Sequence, residues 1–227
     1  MDDSTLRRDI VAQARAMNAL GINQGTSGNI SARLGDTMLI TPSATPYDDM
    51  QPGDLASMPL HGGLASMELA TDGDWSGPLK PSTEWRFHRD ILRARPEAGA
   101  VIHTHAPYCT ALAIARREIP AIHYMIAAFG GPTIRCAPYA LYGTAELAAL
   151  ALTALEDRSA CLLANHGMIV VGPNLAKAMW LAVELETLAK QYCLALQLGT
   201  PHILSDAEIA ETMRGFASYG LQTTDQA

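Results

Sequence analysis

The chain lacks the features that would place it in several large functional classes. It has only four cysteines in 227 residues, Cys109, Cys136, Cys161 and Cys193, and no two form a C-x-x-C pair. That spacing excludes a zinc knuckle or a dithiol redox couple. Three of the four lie in apolar runs and read as small buried hydrophobes. Basic clusters are also missing. The net charge is −7, and the densest basic pair is Arg116-Arg117, which argues against a nucleic-acid partner. No apolar stretch has the roughly 20 residues that a bilayer-spanning helix needs. The opening Met-Asp-Asp-Ser begins an acidic amphipathic segment, not a secretory leader. The expectation is a reduced, cytoplasmic protein with no membrane partner.

The composition that remains is that of a globular protein. Apolar residues make up 48% and charged residues 17%, enough apolar content to exclude disorder. A chain of this length buries on the order of 70% of its unfolded surface, so it can build a core without disulfides.

Periodicity predicts a helix over residues 4 to 20, capped by Ser4 and ended by Gly21. A polar loop, Asn23-Gln24-Gly25-Thr26-Ser27-Gly28-Asn29, follows. Strands are expected near 29–34 and 37–41, joined at Gly35-Asp36. Residues 55–60 and 63–69 read as a second hairpin about Gly62-Gly63. Ser82 is expected to cap a helix running to about Arg95, with a buried strand over 100–104 and a helix over 107–115. A strand over 133–137 and a helix from Gly143-Thr144 to about Glu156 come next. Apolar strands at 160–164 and 168–171 flank Asn165-His166-Gly167. A long helix spans about 175–198, and Ser205-Asp206 opens a last one ending near Ser218. Closely spaced strand pairs favour antiparallel pairing, so the pattern implies one α/β domain with a mixed sheet covered by helices.

His103-Thr104-His105 is the strongest local motif. Residues two apart on a strand point to the same face, so both imidazoles can meet one metal ion. Seven histidines in 227 residues would produce about 0.2 such pairs by chance, so the pair alone is a moderate signal. His166, in a tight turn between two strands, would complete a set of three imidazoles with an open fourth position. A turn histidine bonded to backbone is an equal reading. Glu84, in Pro81-Ser82-Thr83-Glu84-Trp85, fits a first-turn carboxylate favoured by the helix dipole, and on the residues alone that reading is preferred. The alternative is a base held near a metal. Thr26-Ser27-Gly28-Asn29 and Thr41-Pro42-Ser43-Ala44 can cradle an anion with hydroxyls and free N–H groups, or serve as ordinary turns. His61, His88, His123 and His202 have no comparable context and read as ordinary polar residues.

Together these segments resemble the class II aldolase family, which includes L-fuculose-phosphate aldolases and pentulose-phosphate 4-epimerases. The resemblance runs from Leu20-Gly21-Ile22-Asn23-Gln24-Gly25-Thr26-Ser27-Gly28-Asn29 to Ser218-Tyr219-Gly220-Leu221. Its most specific stretches are Pro81-Ser82-Thr83-Glu84-Trp85-Arg86-Phe87-His88, Val101-Ile102-His103-Thr104-His105-Ala106 and Ile119-Pro120-Ala121-Ile122-His123-Tyr124-Met125, with Asn165-His166-Gly167.

The resemblance implies a single class II aldolase domain over residues 1–227, with a three-layer α/β/α fold and a mixed, mostly antiparallel sheet. It also implies a homotetramer with active sites between subunits. His103, His105 and His166 match zinc ligands, in sites where Mn2+ or Co2+ can also bind. Glu84 matches the catalytic carboxylate, which can also touch the metal. Thr26, Asn29, Ser43, Ser82 and Thr83 match a phosphate cradle, with backbone at Ala44. Tyr124, from a neighbouring subunit, and Tyr219 match tyrosines serving the site.

The implied reaction is reversible cleavage of a ketose 1-phosphate to dihydroxyacetone phosphate and an aldehyde through a metal-stabilised enediolate. L-fuculose 1-phosphate and 5-deoxy- or 5-methylthio-pentulose 1-phosphates are the candidate substrates. A 4-epimerase, a sugar-phosphate dehydratase or decarboxylase, and a non-catalytic sugar- or metal-binding protein are the rival readings. Ala44 departs from the family, which generally has glycine there. If the position needs positive φ, alanine is strained.

Overall fold

The computed structural model describes residues 2–61 and 74–218. Tyr219 and the second half of the expected 55–69 hairpin lie outside the described residues.

Among the described residues seven strands form one sheet: β1 (Asn29–Leu34), β2 (Thr37–Ile40), β3 (Ala56–Pro59), β4 (Ala100–Thr104), β5 (Cys136–Ala137), β6 (Ala160–Leu163) and β7 (Gly167–Gly172). Their order is β3-β2-β1-β4-β7-β6-β5. Of the pairs among these described strands, β5–β6 is parallel and the rest are antiparallel. The sheet is therefore mixed and mostly antiparallel, as the short connections predicted.

Strand alternation sorts the core into two layers. Ile30, Ala32, Ala100, Ile102, Met168 and Val170 face one side, with residues of α1 (Asp3–Ala19), α3 (Pro107–Ile114) and α5 (Leu175–Leu198). Met38, Ile40, Val101, Cys161, Ile169 and Val171 face the other, under α2 (Trp85–Ala94) and α4 (Ala145–Ala154). A last helix, α6, spans Asp206–Ser218. This is the three-layer α/β/α arrangement.

Local chemistry sets the helix starts. Thr144 Oγ1 accepts from the Leu147 N–H at 3.2 Å, and Asn174 Oδ1 from the Lys177 N–H at 2.8 Å. Such caps satisfy otherwise unpaired donors and are worth about 1 kcal/mol each.

Three expectations need correction. Asp2, not Ser4, caps α1, because its carboxylate reaches the Thr5 N–H at 2.9 Å. Ser82 does not sit at the cap of α2. Glu84 occupies that position without capping, and Ser82 Oγ instead accepts from the Glu84 N–H at 3.3 Å. The strand expected over 133–137 shrinks to Cys136–Ala137, since Ile134 leaves β6 to bridge Ile119. No described helix is long and apolar enough to cross a membrane.

Candidate active site

The site forms where β4 ends. Val101 and His103 share the sheet face that α2 covers, and His105 continues the same parity just past the strand. His166 arrives from the β6–β7 turn. Asn165 adopts φ +55 there, and its N–H donates to the Ala113 carbonyl at 3.0 Å. Asparagine tolerates this left-handed backbone better than most residues.

Gly167 completes the turn by having no side chain. A Cβ there would stand 2.4 Å from the Thr104 carbonyl oxygen and 3.0 Å from His105 Cδ2. The close approach of β7 to the end of β4 brings the third imidazole in. Ring centroids of His103, His105 and His166 are 4.8–5.0 Å apart. One potential ligand atom from each lies within 4.8 Å of the others.

The donor set fits a divalent metal ion. His103 Nε2 and His105 Nε2 are 3.1 Å apart. Two nitrogens bound at about 2.0–2.1 Å in a tetrahedral shell would stand roughly 3.3 Å apart. His103 Nδ1 donates to the Met168 carbonyl at 2.9 Å. That bond leaves the Nε2 lone pair turned towards the site, the usual orientation of a histidine ligand held by a backbone carbonyl. Burial first, and then the neighbouring His103 and His166, pull the His105 pKa down to about 4. His105 is therefore a neutral, ligand-competent imidazole at pH 7.

Glu84 spans two of these rings. Its Oε2 lies 3.2 Å from His103 Nε2 and its Oε1 lies 3.2 Å from His166 Nε2. Burial pushes the Glu84 acid up. Where His103 and His166 carry a proton on the nitrogen that faces it, they outweigh that and hold it well below the ordinary carboxylate range. The carboxylate is thus aimed at the imidazoles and is not spent on the helix end. This placement is the one that the alternative reading, a base held near a metal, calls for.

A cavity of about 330 Å³ opens beside these groups. Ser27, Thr83, Glu84, His105 and His166 line it. Tyr139, Tyr142 and Asn165 line it from the β5–α4 loop and the histidine turn, and both phenols are exposed.

The expected anion-binding segments meet close by. The Ser43 N–H donates to the Lys80 carbonyl at 2.9 Å and the Ser82 N–H to the Thr41 carbonyl at 3.0 Å. Pro42 and Pro81 bridge between these two bonds. Ser43 and Ala44 are thereby held beside Ser82 and Thr83. Ala44 does adopt a left-handed backbone, with φ +54. Of the expected cradle only Thr83 lines the cavity. Ser27 lines it where Thr26 was expected, and Thr26 is exposed. Asn29 is buried, with Nδ2 donating to Glu84 Oε2 at 3.0 Å.

Tyr124 does not line this cavity. It is half exposed on a 3-10 turn and borders a separate hollow with Lys177, Trp180 and Phe216.

Sequence reasoning did not single out His88, Tyr139 or Tyr142, and took Asn165 only as part of the Asn165-His166-Gly167 turn. His88 had a signal available: it lies four residues after Glu84, on the same helical face.

Fold and site together define an α/β enzyme with a pocket suited to a divalent metal ion and a buried carboxylate beside it. The chain belongs to the class II aldolase family and is a lyase: residues 8–193 match the Class II Aldolase and Adducin N-terminal domain. It is 49% identical over 215 residues to a 5-methylthioribulose-1-phosphate/5-deoxyribulose-1-phosphate aldolase of Rhodospirillum rubrum, covering 95% of this chain and 92% of that one. It is 45% identical over 223 residues to the L-fuculose phosphate aldolase of Escherichia coli, covering 98% and 99%. A solved L-fuculose 1-phosphate aldolase superposes with a TM-score of 0.87 at 35% identity, covering 96% of this chain and 98% of that one.

Proposed function

We propose that the protein cleaves a ketose 1-phosphate reversibly to dihydroxyacetone phosphate and an aldehyde, and that residues 1–227 act as one domain. The observation that carries this reading is the Glu84 carboxylate set 3.2 Å from both His103 and His166. Breaking a carbon–carbon bond next to a carbonyl releases an electron pair that needs stabilisation and then a proton. A divalent ion, zinc in our reading with Mn2+ and Co2+ as substitutes, would be held by His103, His105 and His166, with Glu84 in reach, and supplies the Lewis acid for that charge.

Glu84 carries the proton that carbon 3 gains in cleavage and loses in condensation. General acid–base help of this kind is typically worth about 10²- to 10⁴-fold in rate. Asn29 orients the carboxylate and keeps a second amide hydrogen for phosphate. Thr26, Ser43, Ser82 and Thr83 supply hydroxyls to the phosphate, with backbone at Ala44. The Ser43 and Ser82 N–H groups are already committed to carbonyls, so hydroxyls dominate this cradle. Holding the phosphate places the reacting carbons near the carboxylate.

Tyr124 is exposed and outside its own chain's cavity, which supports its serving a neighbouring subunit in a homotetramer. Tyr219 is assigned a place near the site. The fuculose and methylthioribulose phosphates named for the relatives share a ketose 1-phosphate end, and that common end is the substrate class proposed.

The test is metal analysis of the purified protein together with a panel of ketose 1-phosphates, scored for dihydroxyacetone phosphate. Release that depends on bound metal is expected. Epimerised or dehydrated product without cleavage would overturn the reading.

A further inference from the structure

We propose that His88 is a positioning residue: with Ser31 it locks the Asn29 amide so that Asn29 holds one oxygen of Glu84 and leaves the other for the reacting carbon. The proposal rests on the reading of Glu84 as the proton carrier.

The geometry determines the direction of every bond in this chain of groups. A carboxylate only accepts hydrogen bonds, so Asn29 must turn Nδ2 towards Glu84 Oε2, 3.0 Å away. Its Oδ1 then faces His88 Nε2, which must donate to it. A neutral imidazole has one N–H, so His88 Nδ1 is an acceptor. The Ser31 hydroxyl, 2.8 Å away, must therefore donate.

Ser31 and His88 are fully buried, and Asn29 and Glu84 are 4% and 5% exposed, so water has little access to swap partners. In the opposite tautomer, His88 would present a lone pair to Asn29 Oδ1. The amide would then flip and set its carbonyl against the carboxylate. Among the described residues Glu84 Oε1, by contrast, has no hydrogen-bond partner, and it faces the His166 ring at 3.2 Å.

Register brings these groups together. Asn29 and Ser31 lie two apart on β1, opposite His103 and Val101. Glu84 and His88 lie one turn apart at the start of α2, above that face. A packing role is the competing account, since His88 stacks on Phe87 at 4.7 Å between centroids.

The test uses the zinc-loaded protein. Nitrogen-15 NMR of labelled histidines, with the His88 signal identified by its loss in His88→Gln, is expected to show a neutral Nε2–H tautomer at neutral pH. An Nδ1–H tautomer or an imidazolium overturns the proposal. Kinetically, His88→Leu is expected to lower kcat by about 10- to 100-fold. KM and zinc stoichiometry should stay within about twofold. His88→Gln keeps an N–H near the Nε2 position and should restore kcat to within about fivefold of wild type.

Equal losses in the two variants, or an unchanged kcat in His88→Leu, overturn the proposal. Should His88→Leu fail to fold, Ser31→Ala carries the test. A mixed His88 tautomer with reduced kcat supports the lock, and an unchanged tautomer and kcat overturn it. A wild-type protein that releases no dihydroxyacetone phosphate overturns the functional reading instead, and the tautomer still reports on the lock.

Discussion

Ala44 offers a direct test of how the loop proposed to bind phosphate is built. Its φ of +54 puts an L-residue in the left-handed region, which costs roughly 1–2 kcal/mol relative to glycine. The loop cannot easily relax, because the Ser43 N–H is tied to the Lys80 carbonyl and Pro42 bridges Pro81. Ala44 is exposed, so its methyl group adds little by burial. Ala44→Gly removes the strain but adds about 0.4–1 kcal/mol of unfolded-chain freedom. The mid-range difference is a gain of about 0.8 kcal/mol, or about 2 °C in Tm for a chain of this size. Thermal and urea unfolding of the metal-loaded protein would measure it. A glycine variant less stable than wild type would refute the strain argument and imply a different backbone in this loop.

Other outcomes follow from the same geometry. Glu84→Gln should keep metal and phosphate-ligand binding, measured by metal analysis and calorimetry, yet lose most turnover. Unchanged turnover removes Glu84 from proton transfer. Gly167→Ala should weaken metal affinity by about 10- to 100-fold in competition with a chelator, since its Cβ would meet the Thr104 carbonyl at 2.4 Å. Wild-type affinity in that variant would show that the turn yields. Burial depresses the His88 pKa from 6.5 to about 3. The unfolded chain therefore binds a proton near pH 6.5 that the folded chain refuses, and stability falls on acidification through that window. The slope from this one group is about 1.4 kcal/mol per pH unit. The urea midpoint of His88→Gln should fall less steeply between pH 6 and 4.5, and parallel slopes would contradict this assignment.

Local pattern was a good guide wherever one element could satisfy its own rules. The apolar run before His103 appears as β4 over Ala100–Thr104, and the long Ala- and Leu-rich stretch appears as α5 over Leu175–Leu198. It was a poor guide where a partner decided. Ile134 leaves its expected strand for Ile119, and nothing near Ile134 signals that choice. His88 looked like any polar residue, because its partners Asn29 and Ser31 are remote in the chain.

The order of residues determined that His103 and His105 share a face, because a strand repeats every two residues. It also determined that Glu84 and His88 lie one turn apart. Whether His166 joins that pair was decided by tertiary structure alone, through the pairing of β4 with β7 and a glycine small enough to let the two strands approach. The placement of the Glu84 carboxylate was settled in the same way. A first-turn acid serves a helix end unless something stronger faces it, and only the folded sheet puts His103, His166 and Asn29 within 3.2 Å. Periodicity is a property of neighbouring residues. Convergence depends on which surfaces bury each other, and that is a property of the whole chain.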